Sequence, residues 1–271
     1  MTLNFTHATA VVSLGANRFG IDLDATWTVM GKPNGGYLMA VMARAVEAQL
    51  RIEGVLHPYP VAGSALYASV PDCGPAELRV EILRSGRSAS QAHVILEQEG
   101  VTQVTGQFTF GGLDHGEDPR YVTHEAIDLP PFLDCYRLPA INPSGLHVGI
   151  LEGSEQRIDP ATLGWTGVGQ VGHGEIRGWV KFEDGQDFDP FSLLFVGDCF
   201  PPATFNLGSV GWVPTLQLSV YVRALPAPGP VKVRQGITVV HGRLVDEVCH
   251  VIDAEGTLVA QATQLAQARF A

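Results

Sequence analysis

The most informative segment of the sequence is Gly31-Lys-Pro-Asn-Gly-Gly-Tyr-Leu-Met-Ala-Val-Met-Ala-Arg-Ala-Val-Glu-Ala-Gln-Leu50. Its first six residues form a Gly- and Pro-rich breaker cluster, and residues 37–50 then have the apolar periodicity of a helix. Asn34 stands where a helix N-cap is expected. The polar positions form one narrow stripe made of Arg44, Glu47 and Arg51. So narrow a polar stripe predicts a helix that protein encloses on almost every side.

Strand-like runs surround this helix. Residues 18–27 alternate in hydropathy before it, and four runs follow it, separated by short turns, at 61–70, 76–83, 90–98 and 101–110. Because the connections are so short, consecutive runs are expected to pair as antiparallel neighbours. The first half of the chain therefore predicts a strand, a long helix and four strands.

The same order of elements returns in the second half. A strand is predicted at 175–182 and a helix at 190–200, followed by strands at 215–223, 231–240, 244–253 and 257–269. Gly86 and Gly242 occupy matching turns, and counterpart elements lie about 156 residues apart, which indicates an internal duplication. The predicted units are residues 1–112 and 165–271. The stretch between them, 113–164, is rich in Pro, Asp, His and Gly and is predicted to be a long surface connection with a short strand near 146–151.

One carboxylate interrupts the second predicted helix. The stretch is Phe191-Ser-Leu-Leu-Phe-Val-Gly-Asp-Cys-Phe-Pro-Pro202, preceded by Asp189 as a candidate N-cap and by Pro190. On a helix, Asp198 shares the apolar face of Leu194 and Phe195. A carboxylate there must raise its pKa, find hydrogen-bond donors or meet water in a pocket. The alternative is an exposed Asp198 at a helix end that bends at the two prolines.

Two further polar residues stand out on predicted strands. Gln264 is the only polar residue on a face otherwise made of small and apolar side chains: Leu258, Ala260, Ala262, Ala266 and Ala268. A buried amide needs partners, so Gln264 is either a satisfied core residue or part of a site. Thr215 has the opposite parity to Leu216, Leu218, Val220 and Val222, and that parity favours exposure unless the start of the strand lies at a pocket.

The helix motif also carries a family resemblance. Residues 32–45 resemble the central-helix motif of the thioesterase-like superfamily, and Gly86-Arg-Ser88 with Gln98-Glu-Gly100 resembles its next strands. The resemblance covers about Phe19 to Arg269 apart from the connection, and points to the double hot-dog acyl-CoA thioesterases of the bacterial thioesterase II type. It implies an α+β double hot-dog fold, with two antiparallel sheets, each wrapped around a long central helix, and a long linker.

The resemblance also implies a catalytic site in the second half. Family members hold and activate a water with an Asp, a Thr and a Gln, which correspond to Asp198, Thr215 and Gln264. The implied reaction is hydrolysis of a fatty acyl-CoA to free acid and CoA. The match departs after Thr215, where the family often has Asp-His and this chain has Leu216-Gln-Leu218. An apolar tunnel for the acyl chain is expected to be lined in part by four side chains: Phe191, Leu194, Phe195 and Phe200.

The chemistry of thioester hydrolysis needs a base near water and donors for the carbonyl oxygen. A carboxylate in an apolar pocket has a raised pKa and is a better base. The start of the first helix, Asn34 to Tyr37 through Gly35 and Gly36, offers backbone N–H groups and a positive dipole end for the oxyanion. A simple turn with an N-cap explains the same residues without a ligand. Direct attack by Asp198, through an anhydride, is also open.

Composition excludes several functions. Hydrophobic residues make up 45% and charged residues 17% of the 271 residues, which is typical of a globular protein. The net charge of −11 argues against nucleic acid as a partner. No signal peptide and no membrane span are expected. The four cysteines are widely spaced, which predicts reduced thiols in a cytoplasmic protein.

No cofactor or metal is expected. The nine histidines show no zinc-ligand spacing, and Gly167-Val-Gly-Gln-Val-Gly172 precedes a predicted strand rather than the helix that a dinucleotide site requires.

Two other functions stay open at this point. One is a non-catalytic acyl or acyl-CoA binding protein, which the departure after Thr215 suggests, since a fold alone does not fix a function. The other is a hot-dog hydratase, against which the lack of a histidine near Asp198 counts. We also expect a homo-oligomer, because hot-dog units commonly pair further.

Overall fold

A computed structural model of the chain describes residues 4–114, 119–123, 126–142, 145–167 and 172–270. Residues 168–171 of the glycine motif lie outside this part. The helices are α1 Phe5–Ala8, α2 Gly35–Ile52, α3 Ile150–Gly153 and α4 Ser192–Val196. The strands are β1 Val12–Gly15, β2 Arg18–Leu23, β3 Thr28–Val29, β4 Lys32–Pro33, β5 Tyr59–Tyr67, β6 Gly74–Ser85, β7 Ala89–Gln98, β8 Val101–Gly111, β9 Tyr136–Arg137, β10 Ser154–Ile158, β11 Glu175–Phe182, β12 Thr215–Val222, β13 Val231–His241, β14 Leu244–Ile252 and β15 Leu258–Gln267.

The large sheet is continuous across the two halves. Its strand order is β1-β2-β6-β7-β8-β5-β12-β15-β14-β13-β11-β10-β9, and every neighbouring pair is antiparallel. The separation into two sheets that the sequence led us to expect is therefore wrong. The seam is the pairing of β5 with β12, in which Gly63 lies opposite Val220. Two strands that would otherwise be exposed sheet edges satisfy each other's backbone groups there.

The strand order repeats, as the duplication predicts. The first half runs β2-β6-β7-β8-β5 from its outer side to the seam, and the second half runs β11-β13-β14-β15-β12. Each strand of the first half has a counterpart at the same place in the second. The antiparallel seam thus relates two similar units about a local twofold axis.

Helix α2 confirms the prediction made from residues 31–50. The side-chain oxygen of Asn34 accepts a hydrogen bond from the backbone N–H of Tyr37 at 3.0 Å, which caps the helix. Tyr37 to Ala43 are all at most 1% exposed, so the helix is enclosed on nearly every side. It packs against the inner faces of β5 to β8 and against α4.

The second helix is much shorter than the predicted span of 190–200. The carboxylate of Asp189 accepts from the N–H of Ser192 at 2.7 Å, in the manner of an N-cap, but the α-helix ends at Val196. Gly197 and the pair Pro201-Pro202 follow, and proline cannot continue a helix. The two helices touch closely, since a Cβ built on Gly36 would lie 2.7 Å from the carbonyl oxygen of Leu194.

Part of the predicted surface connection is buried. Strand β10 pairs with β11, and four of its five residues are buried. The short strand expected near 146–151 is absent from that place, and residues 150–153 form α3. The first four residues of β10, Ser154-Glu-Gln-Arg157, are all polar. Glu155 is nevertheless 5% exposed, because Arg157 and Lys181 neutralise it.

None of the described helices is long and apolar enough to cross a membrane. Within the same residues no cluster of three or more His, Cys, Asp or Glu side chains could hold a metal ion. The four cysteines are unpaired.

Candidate active site

A cavity of about 520 Å³ opens where the two halves meet. Its wall is formed by the start of α2, the residues after α4, strand β10 and the inner face of the second half. Apolar side chains dominate the wall, among them Leu38, Leu151, Trp165, Phe200, Phe205 and Trp212. Of the four residues expected to line an acyl tunnel, Phe200 lies in this wall. The other three, Phe191, Leu194 and Phe195, belong to the buried core.

Asp198 lies in the cavity wall, directly beyond α4, and is held by the start of α2. Its Oδ2 atom accepts from the N–H of Gly36 at 2.9 Å and from Nδ2 of Asn34 at 3.2 Å. The same Asn34 nitrogen donates to the backbone oxygen of Asp198 at 2.9 Å. The hydroxyl of Tyr67 donates to the carbonyl of Gly35 at 2.8 Å and fixes this turn. Residues from the first half thus position the acid of the second half.

The pKa of Asp198 is raised from its ordinary value to about 7. Burial is the largest cause, because the apolar surroundings disfavour the charged form. The N–H of Gly36 and the side chain of Asn34 act in the opposite direction, and the nearby carboxylate of Glu247 raises the pKa further. The result is a carboxyl group that exchanges a proton near neutral pH, as general bases and acids do.

Thr215 and Gln264 lie in the same cavity wall and are joined to each other. The hydroxyl of Thr215 donates to Oε1 of Gln264 at 3.0 Å. The parity argument that favoured an exposed Thr215 is wrong, because β12 carries a bulge. Thr215 pairs with Ala266 whereas Gln217 pairs with Leu265, so Leu216 is the extra residue. The bulge turns Thr215 to the inner face that Leu218 also occupies.

Sequence reasoning missed one acidic residue in this wall, Glu247. It is 2% exposed and accepts from Nε2 of Gln264, from Nε2 of Gln235 at 2.8 Å and from the N–H of Ala203 at 2.8 Å. The pKa of Glu247 is raised above its ordinary value, mainly by burial, although these donors act in the opposite direction. The signal was present in the sequence, since Glu247 shares one strand face with the apolar residues Val245, Cys249 and Val251.

The predicted oxyanion donors are engaged by the protein itself. The N–H of Gly36 donates to Asp198, and the N–H of Tyr37 donates to Asn34. The Tyr37 side chain is fully buried, with its hydroxyl donating to the carbonyl of Ala8 at 2.9 Å. Asn34 and Gly35 do lie in the cavity wall, whereas Tyr37 is absent from it. Gly36 is likewise absent from the wall, and substrate binding by these four residues stays a prediction.

Comparison with known proteins agrees with this picture. The acyl-CoA thioesterase N-terminal domain matches residues 23–111, and the acyl-CoA thioesterase C-terminal domain matches residues 132–268. A structure from Thermobifida fusca YX, named as a candidate thioesterase II, is 31% identical, has a TM-score of 0.88 and covers 98% of this chain and 97% of its own.

Two further similarities extend over most of the chain. A hot-dog protein of Alicyclobacillus acidocaldarius, of unknown function, has a TM-score of 0.83 at 21% identity over 98% of both chains, and at that identity it shows the fold alone. An uncharacterized protein of Mycobacterium tuberculosis is 31% identical over 264 residues, covering 90% of this chain and 89% of that protein.

The fold and the family matches together identify the class of protein. An α+β chain with a large antiparallel sheet, a buried helix and these matches is a thioester hydrolase of the hot-dog type. Within that class, the chain belongs to the acyl-CoA thioesterase family, whose two domains together match most of its length.

Proposed function

We propose that this protein hydrolyses a fatty acyl-CoA to the free acid and CoA, with Asp198 as the base that activates water. The observation that carries the proposal is a carboxyl group with a pKa of about 7 in an apolar cavity. A second group in the same wall, the Thr215–Gln264 pair, offers polar atoms to hold the water. The mainly apolar wall suits an acyl chain.

The proposed reaction proceeds in two transfers. Asp198 takes a proton from the water while the water oxygen attacks the thioester carbonyl carbon. The C–S bond then breaks, and the CoA sulfur leaves as a thiolate that takes the proton back from Asp198. Asn34, Gly35 and Gly36 lie beside the carboxylate at the positive end of α2, where negative charge on the carbonyl oxygen is stabilised. The N–H of Gly36 is freed in part as Asp198 becomes neutral.

We further propose that residues 1–112 and 165–271 are the two hot-dog units, each with its own central helix, and that 113–164 connects them. The four unpaired cysteines support a reducing compartment, which is the cytoplasm in our proposal. We propose a homo-oligomer as well, and no nucleic-acid partner.

Replacement of Asp198 tests the function. Thiol release from short, medium, long and aromatic acyl-CoA substrates is measured for the wild type and for Asp198→Asn, which keeps the shape and removes the base. We expect kcat to fall by about 10²–10⁴ in the variant. The matched control is Asp187→Asn, an exposed carboxylate shortly before α4 that bonds to Gly229, and it is expected to keep wild-type activity.

Two other outcomes would change the proposal. Tight binding of acyl-CoA without thiol release from any substrate would identify the chain as the non-catalytic binding protein instead. An acyl group that accumulates covalently on Asp198 in a single turnover would replace water activation with the anhydride route.

A further inference from the structure

Glu247 is a buried acid that the proposed reaction does not yet use. It lies on the inner face of β14, directly opposite Gln264 of β15. Three neutral groups donate to it: Nε2 of Gln264, Nε2 of Gln235 and the N–H of Ala203. A neutral acid would have to donate one hydrogen itself, whereas an ionised carboxylate only accepts. Three donors directed at one side chain therefore match the ionised form.

The carboxylate fixes the orientation of the Gln264 side-chain amide. Because Glu247 accepts only, the NH₂ end of Gln264 must face it, and the amide oxygen must face the other way. That oxygen, Oε1, accepts the hydroxyl hydrogen of Thr215 at 3.0 Å. The hydroxyl hydrogen of Thr215 is thus committed to Gln264, and its oxygen lone pairs are left for groups in the cavity.

We propose that Glu247 is a positioning residue that sets the direction of the hydrogen-bond chain Thr215, Gln264, Glu247, so that Thr215 can only accept a hydrogen from the attacking water. The proposal rests on the hydrolysis proposed above. A water that donates one hydrogen to Asp198 and the other to Thr215 keeps an oxygen lone pair directed at the substrate. If the hydrogen bonds ran in the opposite direction, Thr215 would donate to that lone pair and make the water a poorer nucleophile.

Glu247 also acts on Asp198 through its charge. Asp198 interacts electrostatically with four ionisable side chains: Glu247 and Cys249 on β14, Cys199 beyond α4 and Tyr67 on β5. Strands β13 and β15 contribute the amides of Gln235 and Gln264. The negative charge of Glu247 raises the pKa of Asp198. Removing that charge should therefore move the acid limb of the pH–kcat profile to lower pH.

A double-mutant cycle tests the proposal in the full-length protein. Glu247→Gln keeps the shape and removes the acceptor-only carboxylate, and Thr215→Val removes the hydroxyl. We expect Glu247→Gln to lower kcat about tenfold with little change in KM and to shift the acid limb downward. The double variant should be about as slow as Thr215→Val alone, because both changes break the same chain.

The control is another buried acid, Glu155, which pairs with Arg157 and Lys181 away from the cavity. Glu155→Gln should lower the melting temperature and leave kcat and the acid limb unchanged.

The outcomes separate this inference from the proposed function. A folded Glu247→Gln variant with wild-type kcat and acid limb overturns the role of Glu247 and leaves the proposed hydrolysis intact. The same holds if the fold-losses in kcat of the two single variants multiply in the double variant. Thiol release that is absent in the wild type overturns both proposals. If Glu247→Gln does not fold, Glu247→Asp is used instead, because it keeps the charge and should keep the direction of the hydrogen-bond chain. Adding Thr215→Val to Glu247→Asp should then lower kcat. A Glu247→Asp kcat that is unaffected by Thr215→Val would also refute the proposal.

Discussion

Two opposed effects set the pKa of Asp198, and their balance decides the pH range in which it can act as a base. Burial raises its pKa, and the N–H of Gly36 with the side chain of Asn34 lowers it, which leaves a value of about 7. A general base must be ionised, so kcat/KM should rise with pH and reach half of its plateau near pH 7. A pH–rate profile from pH 5 to 9 measures this. An acid limb near pH 4, the range of an ordinary carboxyl group, would contradict it.

The same carboxyl group should cost stability at neutral pH. Its pKa is higher in the folded protein than in the unfolded chain, so deprotonation above the unfolded value of about 4 favours the unfolded state. Asp198→Asn removes this cost. We expect the variant to be more stable than the wild type by about 2–4 kcal/mol at pH 8, with the difference falling as the pH drops through 7.

Urea unfolding at pH 8 and at the lowest pH at which both proteins fold measures that difference. A variant that is less stable than the wild type at pH 8 would contradict the assigned environment of Asp198. Together with the loss of activity, a gain in stability would identify Asp198 as a residue kept for function rather than for folding.

At the scale of elements, one residue at the start of α2, Asn34, has two roles. Asn34 caps the helix and also donates to Asp198. Asn34→Ala should cost about 1 kcal/mol of stability as a lost cap. Since a donor to the charged form disappears, it should also raise the pKa of Asp198 and move the acid limb of kcat/KM to higher pH.

The matched control for Asn34 is Asn4, which caps α1 by accepting from the N–H of His7 at 3.0 Å. Asn4→Ala should lose stability without moving the acid limb. If the acid limb of kcat/KM lies at the same pH in both variants, Asn34 acts only as a helix cap.

The strands also explain which site residues could be identified from the sequence alone. Alternation along single strands was enough to find Gln264, and the same signal marks Glu247. Thr215 could not be found that way, because its direction depends on the bulge at Leu216, and a bulge is defined by the neighbouring strand. The burial of β10 likewise depends on its neighbour β11, which pairs with it and supplies Lys181 beside Glu155.

At the scale of the whole molecule, the duplication has produced two unequal halves that contribute different residues to one site. The first half supplies Asn34 and Gly36, and the second supplies Asp198, Thr215 and Gln264. At the position of Asp198 the first half has the apolar surroundings of Met42, which is fully buried. The seam between β5 and β12 therefore holds together two parts of one site.

A disulfide across the seam tests whether the halves must move during turnover. Ser64 of β5 lies directly opposite Ser219 of β12, and their hydroxyl oxygens are 2.8 Å apart. Opposed residues of antiparallel strands have Cα atoms about 4.5–5.5 Å apart, which suits a disulfide. We expect Ser64→Cys with Ser219→Cys to form one when oxidised and to add about 2–4 kcal/mol of stability, because it closes a long loop.

The oxidised double variant should also keep its thiol-release activity, since Gly36 and Asp198 are already in hydrogen-bond contact across the two halves. Thermal unfolding and thiol release are compared before and after reduction, with Ser64→Cys alone as the control for the substitution itself. A variant that gains stability on oxidation but loses activity until it is reduced would show that the seam has to open for turnover. Activity that is independent of oxidation would mean that the site works as a fixed arrangement of groups from both halves, with substrate entry left to the loops around the cavity.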